Sequence, residues 1–168
     1  MPAPTVYLDT NVISTYWYEG ADVLGLSRRA ITRDWWDTER RNFEIWVSAV
    51  TEDELRAGVY SRQADCLRMV RRLKYLPITA TAREMVARLL LKDVVPANKP
   101  GDAFQMAVCA TQGIDYLVSW NYAHLTNPVA QERLAAICRR LKLRVPSLVS
   151  PETIPRKSLG QEIRRPKS

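Results

Sequence analysis

The sequence predicts an α/β fold built on a mainly parallel sheet. Three observations carry that reading: short β-forming runs, helical apolar periodicity in the intervals between them, and no internal repeat. The runs fall at residues 5–8, 44–48, 76–79, 116–119 and 144–149. Strands alternating with helix-length segments require crossover connections, and crossovers place helices on both faces of a parallel sheet.

Taken in order, the first run ends abruptly on Asp9, after which Thr10 and Asn11 lead into Val12 and Ile13. The second, "EIWVS", passes into "AVTEDELRAG", where Glu54 follows Thr51 by three residues. Leu67, Val70 and Leu73 then recur at helical spacing, as do Met85, Val86, Leu89 and Leu90. Pro77, Pro96 and Pro100 punctuate this half of the chain, and "KPGDAFQMAV" opens a helix with Asp102 in its first turn. The run "DYLVS" continues into "WNYAH", which contains Asn121. Asn127 and Pro128 fit a helix cap and first helical residue, and Leu134, Ile137, Cys138 and Leu141 give that helix one apolar face.

At 168 residues and 46% hydrophobic, the chain can bury one full core. We assign residues 1–150 to one domain and read 151–168, polar and basic with Pro155, Gly160 and Pro166, as a loosely ordered tail. No apolar run approaches the roughly 20 residues needed to cross a bilayer, and no signal-peptide pattern is present. A soluble, cytoplasmic protein without a membrane partner is expected. Cys66, Cys109 and Cys138 lie far apart without CxxC spacing, so reduced, buried thiols are expected rather than a zinc site.

The net charge of +7 favours polyanionic partners, and basic residues gather in "SRRAITRDWW", "RMVRRLK" and "RRLKLR". Such runs serve equally well as solvated helix faces. Arg71 and Arg72 are the candidates for RNA contact. Trp35 and Trp36, between Arg33 and Arg40, could stack on unpaired bases. Helix geometry offers a plainer role, with Trp36 packed and Trp35 partly exposed.

Sites in open parallel sheets form beyond the carboxyl ends of the strands. Asp9, Glu54, Asp102 and Asn121 all fall at that edge. Each has a structural alternative: Thr51 with Glu54 fits a capping box, Asp9 and Asp102 fit helix caps, and Asn121 fits a turn. Capping does not explain why acids from separate segments converge, since neighbouring carboxylates repel unless a cation lies among them. Oxygen ligands without Cys or His favour Mg²⁺ or Mn²⁺, and hydrolysis of a phosphodiester is the chemistry they suggest.

The stretches "YLDTNVIS", "VSAVTEDELRAG", "KPGDAFQMAV" and "DYLVSWNYAHLTNP" together resemble the successive motifs of PIN-domain nucleases, in particular the VapC-like group, over about residues 5–150. The resemblance implies strand order 3-2-1-4-5 and Mg²⁺- or Mn²⁺-dependent endoribonuclease activity. It matches Asp9, Glu54 and Asp102 to the family's acids, Asn121 to a fourth acidic or amide position, Thr10 and Asn11 to its DTN triplet, and Ser119 to a small hydroxyl residue near the metal. Gln105 stands where relatives with this ending often have His. His124, the only histidine, either touches substrate or supports the turn. The resemblance further implies an RNA substrate, a homodimer and, if the chain is the toxin of a type II toxin-antitoxin pair, an antitoxin protein. The alternatives are a PIN nuclease without antitoxin and a nucleic-acid-binding module without catalysis. A haloacid-dehalogenase-like phosphatase would need a second Asp where Asn11 stands.

Overall fold

The computed structural model describes residues 2–166. Five strands, β1 (Thr5–Leu8), β2 (Glu44–Ser48), β3 (Lys74–Leu76), β4 (Tyr116–Val118) and β5 (Ser147–Val149), form one sheet in the order β3-β2-β1-β4-β5. Every neighbouring pair is parallel, with Tyr7 level with Trp46 on one side and Leu117 on the other. The expected order and class are therefore found. β3 begins two residues before the expected run, and the end of β3 and the start of β5 differ from expectation for one reason. Proline has no amide to donate to a ladder, so pairing stops before Pro77 and starts after Pro146.

Among the described residues seven α-helices cover the sheet: α1 (Thr10–Tyr16), α2 (Val23–Glu39), α3 (Ala49–Arg56), α4 (Gln63–Val70), α5 (Ala80–Leu91), α6 (Pro100–Thr111) and α7 (Pro128–Arg140). Alternation along β1 divides the core. Val6 and Leu8 pack with Val12, Ile13, Trp35 and Val70 on one face, while Tyr7 packs with Met85, Leu89, Met106 and Leu134 on the other. Each fully buried aliphatic side chain stabilises by about 1.5–3 kcal/mol, which fixes the register of this central strand. Asn127 caps α7 as expected, its side chain accepting from the Ala130 amide at 2.8 Å. The cysteines are free and buried, and among the described residues no helix is long and apolar enough to cross a membrane.

Two expectations are corrected. Trp35 is fully buried and Trp36 only 8% exposed, so neither offers a face to a nucleic-acid base. Trp35 packs edge-on to Trp36 and against Phe43, in the core between α2 and the sheet. The segment after Ser150 is also not loose among the described residues. Ile154 is buried, Arg156 pairs with Asp34 and donates to the Pro151 carbonyl at 2.9 Å, and the Lys157 and Ser158 amides donate to Glu39 at 2.9 and 2.8 Å. This chain end thus closes over α2. Lys167 and Ser168 lie outside the described residues.

Candidate active site

β1 delivers Asp9 to the carboxyl edge of the sheet, where its amide still donates to the Val118 carbonyl at 3.0 Å. Asp9 occupies the N-cap position of α1, yet its side chain makes no capping bond. Its carboxylate is instead held on all sides. Oδ1 accepts from Gln105 Nε2 at 2.8 Å, and Oδ2 accepts from Asn11 Nδ2 at 2.6 Å and Ser119 Oγ at 2.5 Å. Asn11 also donates to Ser119 Oγ and accepts from the Trp120 amide, at 3.0 and 2.9 Å, which ties the β1 and β4 loops together. Burial pushes the Asp9 pKa up; the Ser119 and Gln105 bonds oppose that, and the charge of Asp102 adds to it.

Glu54 reaches the same place from α3. Because that helix begins at Ala49 with Ser48 in the cap position, Thr51 lies inside the first turn and forms no capping box. The buried Thr51 hydroxyl bonds Tyr7 Oη at 3.0 Å, and Tyr7 Oη also bonds Ser48 Oγ at 2.7 Å. Glu54 is therefore left free for the cleft. Its Oε2 accepts from the Thr10 hydroxyl and, at 3.4 Å, from Gln105 Nε2, so one amide spans two carboxylates. Burial raises the Glu54 pKa, the Thr10 bond lowers it, and the charges of Asp9 and Asp102 raise it again.

Asp102 is the third residue of α6, after Lys99 in the cap position and Pro100 at the start. The positive end of that helix favours an anion here. Asp102 Oδ2 accepts from Asn121 Nδ2 at 3.1 Å and lies 3.3 Å from His124 Nδ1. Asn121 does end the strand in a turn, its Oδ1 accepting from the His124 amide at 3.0 Å, while the other end of the same amide serves the acid. Burial lifts the Asp102 pKa against the opposing effects of His124 and Asn121.

Asp9, Thr10, Asn11, Glu54, Asp102, Gln105, Ser119, Asn121 and His124 are thus gathered along one edge. Arg71 and Arg72 stand apart: Arg71 Nε pairs with Glu52 at 3.1 Å, and no hydrogen bond or ion pair among the described residues joins either arginine to the acids. Sequence reasoning missed Gly101. A Cβ there would lie 2.3 Å from Glu54 Oε1, so the glycine makes the space that Glu54 occupies. A glycine inside the first turn of a helix, where it costs stability, is the one signal that could have revealed it.

The profile of the PIN domain family matches residues 6–126. The chain belongs to the PIN-domain family. Among solved structures, this PIN domain is similar to the Mycobacterium tuberculosis VapC20, described as a sarcin-ricin loop cleaving toxin. The two share 16% identity over 71% of this chain and 92% of that one, with a TM-score of 0.56, a likeness of fold. A chain of the Rickettsia felis VapBC2 complex, bound to a promoter DNA fragment, has 15% identity over 87% of this chain and 96% of that one, with a TM-score of 0.48. No curated protein matches the chain.

The acids of this PIN domain fit a hard divalent cation. Their oxygens are the donors such ions prefer, and each acid has a pKa raised by burial, two of them further by a neighbouring carboxylate's charge. Gln105 Oε1 is buried beside them without a hydrogen-bond partner among the described residues. Among the described residues no three Asp, Glu, His or Cys groups close around one point, so an ion here would complete its shell with water or substrate oxygens.

Proposed function

We propose that this PIN domain is a Mg²⁺- or Mn²⁺-dependent endoribonuclease, with Asp9, Glu54 and Asp102 as the metal-holding acids and Asn121 assisting. The observation that carries the proposal is the convergence of three buried or half-buried acids, from β1, α3 and α6, in which the charge of Asp102 raises the pKa of Asp9 and the charges of Asp9 and Asp102 raise that of Glu54. Such crowding costs stability unless a cation offsets it. A bound divalent ion would supply activated water and charge neutralisation for phosphodiester hydrolysis.

The chain's own residues then have separable tasks. Gln105, Asn11 and Ser119 hold the Asp9 carboxylate in one orientation, leaving its charge directed at the cleft. Thr10 and Gln105 place Glu54, with Gly101 providing its space. Asn121 and His124 orient Asp102, and the partly exposed His124 stands where it could meet a substrate phosphate or the departing strand.

RNA is the proposed substrate class, supported by the net charge of +7 and by the description of the structurally similar VapC20 as a sarcin-ricin loop cleaving toxin. The same reading takes the chain as a toxin with an antitoxin partner, acting as a homodimer. Incubation of the protein with a mixed RNA pool and Mg²⁺ or Mn²⁺ tests the activity. Cleavage that stops on chelation and in Asp9→Asn is expected, whereas cleavage surviving both would overturn the assignment.

A further inference from the structure

Taking RNA as the substrate, as proposed above, we infer that its backbone is held in the basic trough between α5 and α7. A concavity of about 630 Å³ lies there, with Arg88, Lys92, Arg133 and Arg140 around an apolar floor that includes Val94 and Ile137. No acid lines it, the four cations are exposed, and none forms a salt bridge among the described residues. The arginines Arg56 of α3, Arg68 of α4 and Arg71 just after α4 differ: Arg56 and Arg71 are paired with Glu52, and Arg68 with Asp65. Unpaired cations, not basic residues in general, present a field to a polyanion.

The trough also leads to the acids. A second concavity of about 580 Å³ shares Val94 and Arg133 with the first and is lined further along by Tyr122 and His124, the latter 3.3 Å from Asp102. The two concavities therefore adjoin along Val94 and Arg133, and the second reaches the histidine beside Asp102. Asp93 borders the second concavity, and its carbonyl accepts from Arg133 at 2.6 Å and steadies that guanidinium. A second copy of the chain is a poor occupant, because a twofold contact would set four cations against four.

The test is binding of a fluorescein-labelled, 20-nucleotide single-stranded RNA of mixed sequence to the full chain in EDTA. Without divalent metal no cleavage intervenes, so the outcome does not depend on the acids. The triple variant Arg88→Ala, Arg133→Ala, Arg140→Ala should bind about tenfold more weakly at low salt. The slope of log affinity against log salt should flatten by about 2, from roughly 0.7 per lost phosphate contact. A control, Arg56→Ala, Arg68→Ala, Arg164→Ala, makes the same change in net charge and should keep the parent's slope. The triple Arg→Lys variant at the trough positions should retain most affinity and shows that charge, not folding, is read.

Equal losses in trough and control variants would reduce the effect to net charge and overturn the proposal. So would parental RNA binding by the trough variant. If that variant instead loses an acidic, leucine-rich peptide, or changes from dimer to monomer in sedimentation while RNA binding persists, the trough belongs to a protein partner and the proposal fails.

Discussion

Gly101 shows how a residue without a side chain can set the position of one that has a charge. Gly→Ala inside a helix ordinarily stabilises by about 0.5–1 kcal/mol. Here the new methyl would meet only the flexible end of Glu54, so Gly101→Ala should melt no lower than the parent while losing at least about tenfold in Mn²⁺ affinity and in RNA cleavage. A variant with both intact would show that Glu54 needs no fixed place. Glu54→Gln asks the complementary question. With no capping box in α3, a role confined to the helix is excluded, and the change should weaken Mn²⁺ binding at near-constant melting temperature. The four main candidates were legible because Asp9 and Asn121 follow strand ends, Asp102 opens a helix, and Glu54 lies on the short helix that leaves β2 at the same edge. Gly101 was not, since what it accommodates comes from a residue 47 positions away, 101 less 54.

At the scale of elements, hydrophobic periodicity located α4, α5 and α7, each of which buries one face, and proline positions explain where β3 ends and β5 begins. The tail escaped this logic. Its composition is polar, and its attachment depends on backbone amides meeting Glu39 at a separation of 118 and 119 residues, which no local pattern encodes. Ile154→Ala should cost about 2–5 kcal/mol in urea unfolding, as expected for a fully buried aliphatic side chain. A loss below about 0.5 kcal/mol would mean that the segment adds little to the fold. Glu39 gives the same attachment a pH signature. Burial alone would raise its pKa, but the bonds from Ser158, Lys157 and Asn42 outweigh it and hold the value below the ordinary range. A depressed folded pKa contributes stability above the unfolded pKa and loses it as pH falls through the folded one. The stability difference between parent and Glu39→Gln should accordingly shrink on acidification, and a difference that stays constant would contradict the contact.

For the whole molecule, the sheet order places three acids so that the charge of Asp102 bears on buried Asp9 and on Glu54, a repulsion that opposes folding of the metal-free chain. Asp9 is the sharpest case, its folded pKa raised by burial. The sign is opposite to that of Glu39: the folded state holds the proton more tightly, so this favourable contribution is complete below the unfolded pKa of about 3.9 and disappears as pH rises through the folded value. Asp9→Asn removes the repulsion, and Gln105 can turn its amide to present the unpartnered Oε1 to the introduced NH₂. In the absence of metal, the variant should therefore gain on the parent in thermal stability as pH rises above about 4, and Mn²⁺ should close that gap by stabilising only the parent. The most direct test of the account is calorimetric titration of Mn²⁺ into the parent and into Asp9→Asn at neutral pH, with circular dichroism confirming the same fold. Saturable binding in the parent that falls at least about tenfold in the variant is the predicted result; equal affinity in both would contradict a metal site built on Asp9.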